Sequence, residues 1–179
     1  MSSNLVESAK KAAAIRAVDD HLDSSARFVG IGSGSTVVYV VDAIAAKGPS
    51  FHGSMVFLPT GSQSKALIRD AGLSLGNLPD RPLDADGRPV SLDVAFDGAD
   101  EVDQELNCIK GGGGCLLQEK GVAVRAKKFI VVAGMLPYTY TMGNTAPHYR
   151  KISDRLCTQW TSGIPIEVDP FLHSMFWRT

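Results

Sequence analysis

The stretch Phe28-Val29-Gly30-Ile31-Gly32-Ser33-Gly34-Ser35-Thr36 decides the fold. Phe28 to Ile31 is a short apolar run ending among glycines, which reads as a buried strand. The segment from Thr36 to Ala46 is rich in Val, Ile and Ala and predicts a helix, although valine is a weak helix former. Upstream, Leu5, Ala9, Ala12, Ile15, Val18 and Leu22 recur at spacings of three and four, which predicts an amphipathic helix with these residues inward. Downstream the alternation continues. Met55 to Leu58, Leu92 to Phe96 and Phe129 to Ala133 read as strands; Ser62 to Ala71 and Leu116 to Ala126 read as helices. Continuous apolar strands separated by helices predict an α/β fold, a parallel sheet covered on both faces. In such sheets ligands bind where the loops leave the carboxyl ends of the strands.

Composition narrows the partners. The chain has 179 residues, 44% of them apolar, and a net charge of -1. A packed core is within reach. Nothing in the charge balance calls for nucleic acid or an anionic membrane. The three cysteines, Cys108, Cys115 and Cys157, have no CxxC spacing, so neither a disulfide framework nor a structural zinc site is expected. No apolar run approaches the ~20 residues of a membrane span, and residues 1–11 have no apolar signal core. A soluble cytoplasmic protein is expected.

Three loops carry unusual chemistry. In the first, Gly30 to Thr36, glycines let backbone amides approach an anion, and the next helix offers its N-terminal N–H groups. Ser33, Ser35 and Thr36 add hydroxyls. The loop is not a P-loop, since no Gly-Lys-Ser/Thr follows. It is also a poor dinucleotide fingerprint: Ser35 stands at the third glycine, and no acid lies between Asp42 and Asp70. A phosphate site and a plain glycine turn with a Ser/Thr cap both fit. The second loop, Asp97-Gly98-Ala99-Asp100-Glu101-Val102-Asp103, crowds four acids behind a buried strand. Crowding of this kind perturbs carboxylates and suits acid–base work. Mg or Ca ligation and a solvated acidic turn are the other readings, and the spacing is not that of an EF-hand. The third, Lys110-Gly111-Gly112-Gly113-Gly114, precedes the helix that carries Glu119. Four consecutive glycines lose about 1 kcal/mol each relative to Ala when ordered, which a close backbone approach to a ligand would explain. Lys110 can face a developing oxyanion. Glu119 is either a base or an ordinary surface residue of its helix.

Taken together, these segments resemble the type A ribose-5-phosphate isomerase family. The stretches are GIGSGST at Gly30 to Thr36, LPTGSQSKALI at Leu58 to Ile68, DVAFDGADEVD at Asp93 to Asp103 and IKGGGGCLLQEK at Ile109 to Lys120. The resemblance covers about Ala9 to Ala133 and resumes from Thr158 to Pro170. It implies a Rossmann-like, mostly parallel sheet with helices on both faces, plus the start of an incomplete smaller α+β domain. It implies that Ser33, Gly34, Ser35 and Thr36 grip a sugar phosphate. Asp97 and Asp100 face the sugar hydroxyls, with Gly98 and Ala99 between them. Lys110 with Gly111, Gly112 and Gly113 steadies an enediolate oxygen, and Glu119 is the general base. Lys10 or Lys11 would match a lysine near the phosphate. The implied reaction moves a proton between neighbouring carbons and needs no metal or redox cofactor. A homo-oligomer is compatible with the complete fold.

The departures are as specific as the matches. Gly61-Ser62 stands where a bulky residue is usual, and Gly121 where an apolar one is. Residues 134–149 interrupt an expected turn, after which Arg150-Lys151 resumes the pattern, with Lys151 matching a phosphate-contacting lysine. The expected organisation is therefore an isomerase α/β domain at 1–133, an atypical insertion at 134–149, and a truncated fragment of the smaller domain at 150–179. A sheet shortened in this way would lose packing partners at an edge, so reduced stability and activity are expected of the chain alone. Two other readings use the same pocket differently. One is a non-catalytic sugar-phosphate-binding module, which no basic patch or helix-turn-helix supports. The other is a CoA-transferase-like enzyme with a glutamate nucleophile.

Overall fold

The computed structural model describes residues 3–102, 108–133 and 166–168. Its helices are α1 (Ser3–His21), α2 (Ser35–Ala46), α3 (Pro49–His52), α4 (Ser62–Asp70) and α5 (Leu116–Ala123). Its strands are β1 (Phe28–Ile31), β2 (Val56–Pro59), β3 (Val94–Asp97), β4 (Glu101–Val102), β5 (Cys108–Ile109), β6 (Phe129–Val131) and β7 (Ile166–Val168). The main sheet has the order β2-β1-β3-β6-β7, and all its pairings are parallel. β4 and β5 form a separate antiparallel pair. Ile166–Val168 pairs with β6 as the fifth strand. Lys151, the 134–149 insertion and the rest of 150–179 lie outside the described residues.

Side-chain alternation along the strands builds one core on each face of the sheet. Val29, Ile31, Phe57, Val94, Phe96 and Ile130 face the helices α1, α2 and α4. Leu58, Ala95, Phe129 and Val131 face Val122 and Ala123 of α5. A period of two in a strand buried on both sides requires this division. In α2, Val37, Val40, Val41 and Ile44 are all buried. Burial of each is worth about 1.5–3 kcal/mol, which outweighs the few tenths lost to poor helix propensity.

The first helix forms as expected, with Val18 and Leu22 of the expected stripe facing inward and alanines replacing the rest. Ala13, Ala14, Ala17, Val18 and Leu22 are buried, whereas Leu5 and Ile15 are 60% and 42% exposed. Small side chains let α1 lie close against α2, so alanine, rather than the bulkiest apolar residue, marks the contact. Elsewhere the strand and helix limits move by one to three residues from those expected, an ordinary margin at frayed ends. α3, the antiparallel β4–β5 pair and a 3-10 turn at Leu78–Asp80 had no periodic signal. The loop after that turn is pinned by Arg81, whose Nε and Nη1 donate to the carbonyls of Leu78 (2.9 Å) and Val90 (2.5 Å).

Candidate functional site

The three unusual loops leave adjacent strands at the same end of the sheet. Gly32 N–H donates to the Phe96 carbonyl at 2.8 Å, and Val132 N–H to the Asp97 carbonyl at 2.8 Å, so β1, β3 and β6 finish level with one another. Two glycines permit the convergence. A Cβ on Gly32 would lie 2.1 Å from the Asp97 carboxylate. One on Gly112 would lie 2.6 Å from Asp100 Oδ1. Gly34 caps α2 at φ 100° and Gly111 sits at φ 96°, left-handed conformations that other residues rarely adopt.

The resulting cleft is lined by Ser33, Gly34, Ser35, Thr36, Gly98, Ala99, Asp100, Lys110, Gly111, Gly112, Gly113 and Glu119. Its volume is about 120 Å³ and its lining is mainly polar. The structure thus brings together twelve of the fourteen residues singled out in the sequence. Asp97 is not on the cleft surface. It lies 2% exposed beneath it and touches the cleft through Lys110. Lys151 lies outside the described residues.

Beneath the cleft is a buried cluster of one lysine and two carboxylates. Lys110 Nζ stands 2.9 Å from Asp97 Oδ2 and 3.5 Å from Glu119 Oε2, and it donates to the Gly98 carbonyl. Asp97 Oδ1 accepts from the amides of Gly98 (2.8 Å) and Ser33 (3.2 Å). Glu119, 3% exposed, accepts a 2.5 Å hydrogen bond from Ser33 Oγ on its Oε1. Its other oxygen, Oε2, faces the Lys110 ammonium at 3.5 Å and takes no hydrogen bond among the described residues. Helical spacing places it there: Glu119 is the fourth residue of α5, on the same side as the buried Val122 and Ala123.

Burial sets the electrostatics. It pushes the Asp97 carboxyl up to about 6, helped by the Glu119 charge and opposed by the Lys110 ammonium. Burial also penalises the Lys110 ammonium, but Asp97 and Glu119 outweigh that and hold it above the ordinary lysine range. Lys110 therefore stays charged at neutral pH, while Asp97 titrates close to it. Asp100 is separate: exposed, it accepts from Gly112 N–H at 2.8 Å and tethers the glycine loop. Among the described residues no group of three His, Cys, Asp or Glu side chains could hold a metal ion.

Two flanking residues complete the Ser33–Thr36 side of the cleft. Lys10 Nζ donates to Ser35 Oγ at 2.9 Å, which selects Lys10 over Lys11 as the lysine beside this loop. Gln63, on α4, accepts from Gly34 N–H at 2.9 Å through its Oε1. Sequence reasoning did not single out Gln63. The available signal was its position two residues past Gly61, at the carboxyl end of the strand neighbouring β1.

The chain has counterparts among known proteins. Residues 56–179 match the family model described as ribose 5-phosphate isomerase A (phosphoriboisomerase A). A ribose-5-phosphate isomerase of Mycosarcoma maydis is 49% identical over 169 residues, covering 94% of this chain and 51% of the relative. One from Candida albicans is 47% identical, covering 97% of this chain and 62% of the relative. The chain thus spans about half to three-fifths of the length of these relatives. Among solved structures, a ribose 5-phosphate isomerase from Plasmodium falciparum superposes with a TM-score of 0.66 at 31% identity, covering 87% of this chain and 66% of that one. A D-ribose-5-phosphate isomerase solved in complex with phospho-erythronic acid gives 0.66 at 30% identity, covering 86% and 66%.

Proposed function

Because this chain belongs to the ribose 5-phosphate isomerase A family, we propose that it interconverts D-ribose 5-phosphate and D-ribulose 5-phosphate through an enediolate. The observation that carries the reading is a buried glutamate, Glu119, with one oxygen held by Ser33 and the other facing the cleft's Lys110 ammonium at 3.5 Å. A carboxylate so placed has one lone-pair site reserved for orientation and one available for a substrate proton.

The phosphate binds at Ser33 to Thr36, where the amides and dipole of α2 and three hydroxyls favour an anion, with Lys10 alongside. That fixes C1 and C2 of the open-chain sugar over Glu119. Glu119 removes the C2 proton and returns it to C1, while the O2 hydroxyl proton passes to O1. Atoms and charge balance with no electron acceptor. Negative charge developing on the oxygens meets the Lys110 ammonium, which Asp97 keeps in place at 2.9 Å. Asp97, with a carboxyl near 6, acts through that lysine, while Asp100 at the exposed rim meets the sugar hydroxyls and assists ring opening. Phospho-erythronic acid, held by a 30% identical isomerase, carries a carboxylate and a phosphate on a short carbon chain. Those are the two negative groups such a cleft is built to separate and bind.

Glu119→Gln tests the reading. The amide keeps the shape but cannot take a proton. The expected loss in kcat is ~10²–10⁴-fold in a coupled ribose 5-phosphate assay, with the Kd for the sugar phosphate little changed. A sugar-phosphate-binding module would show no turnover to lose. A variant retaining the full rate would remove Glu119 from the chemistry.

A further inference from the structure

The phosphate loop has two side-chain neighbours of opposite character. Lys10 approaches Ser35 with a positive charge that a phosphate welcomes. Gln63 presents a carbonyl oxygen to the Gly34 amide, and a phosphate oxygen would be repelled by that carbonyl. The orientation of Gln63 is fixed by chemistry: a backbone N–H must face an acceptor, so Oε1, not Nε2, points at Gly34. Gly34 is the N-cap of α2, so this N–H stands at the positive end of the helix, where an anion gains most. Gln63 itself is exposed and makes no contribution to either core.

On the isomerase reading of this cleft, we infer that Gln63 guards and then serves the phosphate site. Its Oε1 satisfies the Gly34 amide ahead of the substrate. Rotation of the terminal amide by half a turn withdraws Oε1 and offers Nε2 as a donor to the incoming phosphate, while Gly34 N–H transfers to a phosphate oxygen. The torsion about this bond is broad and two-fold, so the exchange needs no backbone movement. One side chain thus replaces a mismatched acceptor with a matched donor. That raises selectivity for a phosphorylated sugar over an unphosphorylated one of the same shape.

Ribose 5-phosphate titrations by calorimetry on the whole chain, with Gln63→Glu and Gln63→Ala, test this. Glutamate cannot present a donor and adds a negative charge, so Gln63→Glu raises the Kd at least ~tenfold. Gln63→Ala, which loses both cap and donor, raises it about threefold. In the wild type, the Gln63 side-chain NH₂ resonances shift with added inorganic phosphate in step with the Gly34 amide. A Gln63→Glu chain that binds within twofold of wild type overturns the inference. So does an NH₂ signal that stays put while the Gly34 amide saturates. Wild type that binds sugar phosphate without turning it over, while Gln63→Glu loses binding, keeps the guard and sinks the isomerase reading. Wild type that binds neither ligand sinks both.

Discussion

At the scale of single residues, the site is an arrangement of charges that burial makes costly and mutual pairing sustains. Two carboxylates and one ammonium share a space in which Lys110, Asp97 and Glu119 are 8%, 2% and 3% exposed. The ammonium is what permits both acids to be there, since breaking a buried pair by removing one partner typically costs about 3–5 kcal/mol. Lys110→Met should show this in a pH-dependent way. With the cation gone, the Asp97 carboxyl rises beyond its present value of about 6, so the variant can relieve its strain by protonation in acid but not in base. Urea unfolding of variant and wild type at pH 5 and pH 8 is expected to give the larger loss at pH 8. Equal losses at both would mean that the lysine acts by packing alone. These residues were legible in the sequence because loops at strand ends are where ligands bind, and because four acids within seven residues or four glycines in a row are expensive without a use. What was not legible was the division of labour. Asp97 and Asp100 look equivalent three positions apart, yet one closes the strand and is buried while the other stands at the rim. Gln63 was missed because a lone glutamine on a helix carries no pattern, and only the fold sets it beside Gly34.

At the scale of elements, glycine separates positions that serve the fold from one that does not. A Cβ on Gly30 would come within 2.4 Å of Val122 Cγ1 and 2.7 Å of Ala95 Cβ, so this glycine is what lets α5 settle on β1. Gly121, in the middle of α5, has no such excuse: an added Cβ would meet only Leu78 and Arg125 atoms at 3.7 and 3.8 Å, ordinary contact. A helix-interior glycine costs about 0.8–1.0 kcal/mol relative to alanine. Gly121→Ala should therefore stabilise the chain by about 0.5–1 kcal/mol, read as a Tm higher by a few degrees, with turnover unchanged. A lower Tm would mean that α5 needs the freedom this glycine gives, two residues from Glu119. The same residue shows how sequence reading succeeds and fails for helices. The helix was read from Leu116 onward despite the glycine, and it forms over Leu116–Ala123. In α1 the recurrence was equally clear but only part of it faces inward. Of the expected stripe, Val18 and Leu22 are buried while Leu5, Ala12 and Ile15 are exposed, and Ala13, Ala14 and Ala17 take their place in the contact. Close packing on α2 favours the smaller side chains.

At the scale of the whole molecule, the sheet order explains why the Lys110, Asp97 and Glu119 cluster is buried at all. β1 lies between β2 and β3, and β3 between β1 and β6, so Asp97 at the end of β3 is flanked on both sides by the ends of neighbouring strands. The alternating pattern of strands and helices was enough to foresee a parallel sheet with a cleft at its carboxyl edge. It could not foresee that Ile166–Val168 would extend the sheet beyond β6, since a three-residue strand far along the chain has no local signature of its partner. Burying Asp97 couples the site to global stability. Its carboxyl titrates near 3.8 in an unfolded chain and near 6 in the folded one. Between those values the folded state holds a proton that the unfolded state has released. Stability contributed by this group is therefore greatest below pH 4, falls as pH rises through the window, and is constant above about 6. The full difference is on the order of 3 kcal/mol, set against the favourable contacts with Lys110 that persist to alkaline pH. Asp97→Asn, close in shape and uncharged throughout, removes the titration. Denaturation midpoints of wild type and variant measured from pH 4 to pH 7 should diverge progressively, with the variant gaining relative to wild type as pH rises and the gap levelling off past pH 6. Parallel curves across that range would mean that Asp97 is charged already at pH 4, held by Lys110 against its burial. In that case the lysine, and not the desolvated carboxylate, sets the proton affinity of the cluster on which Glu119 depends.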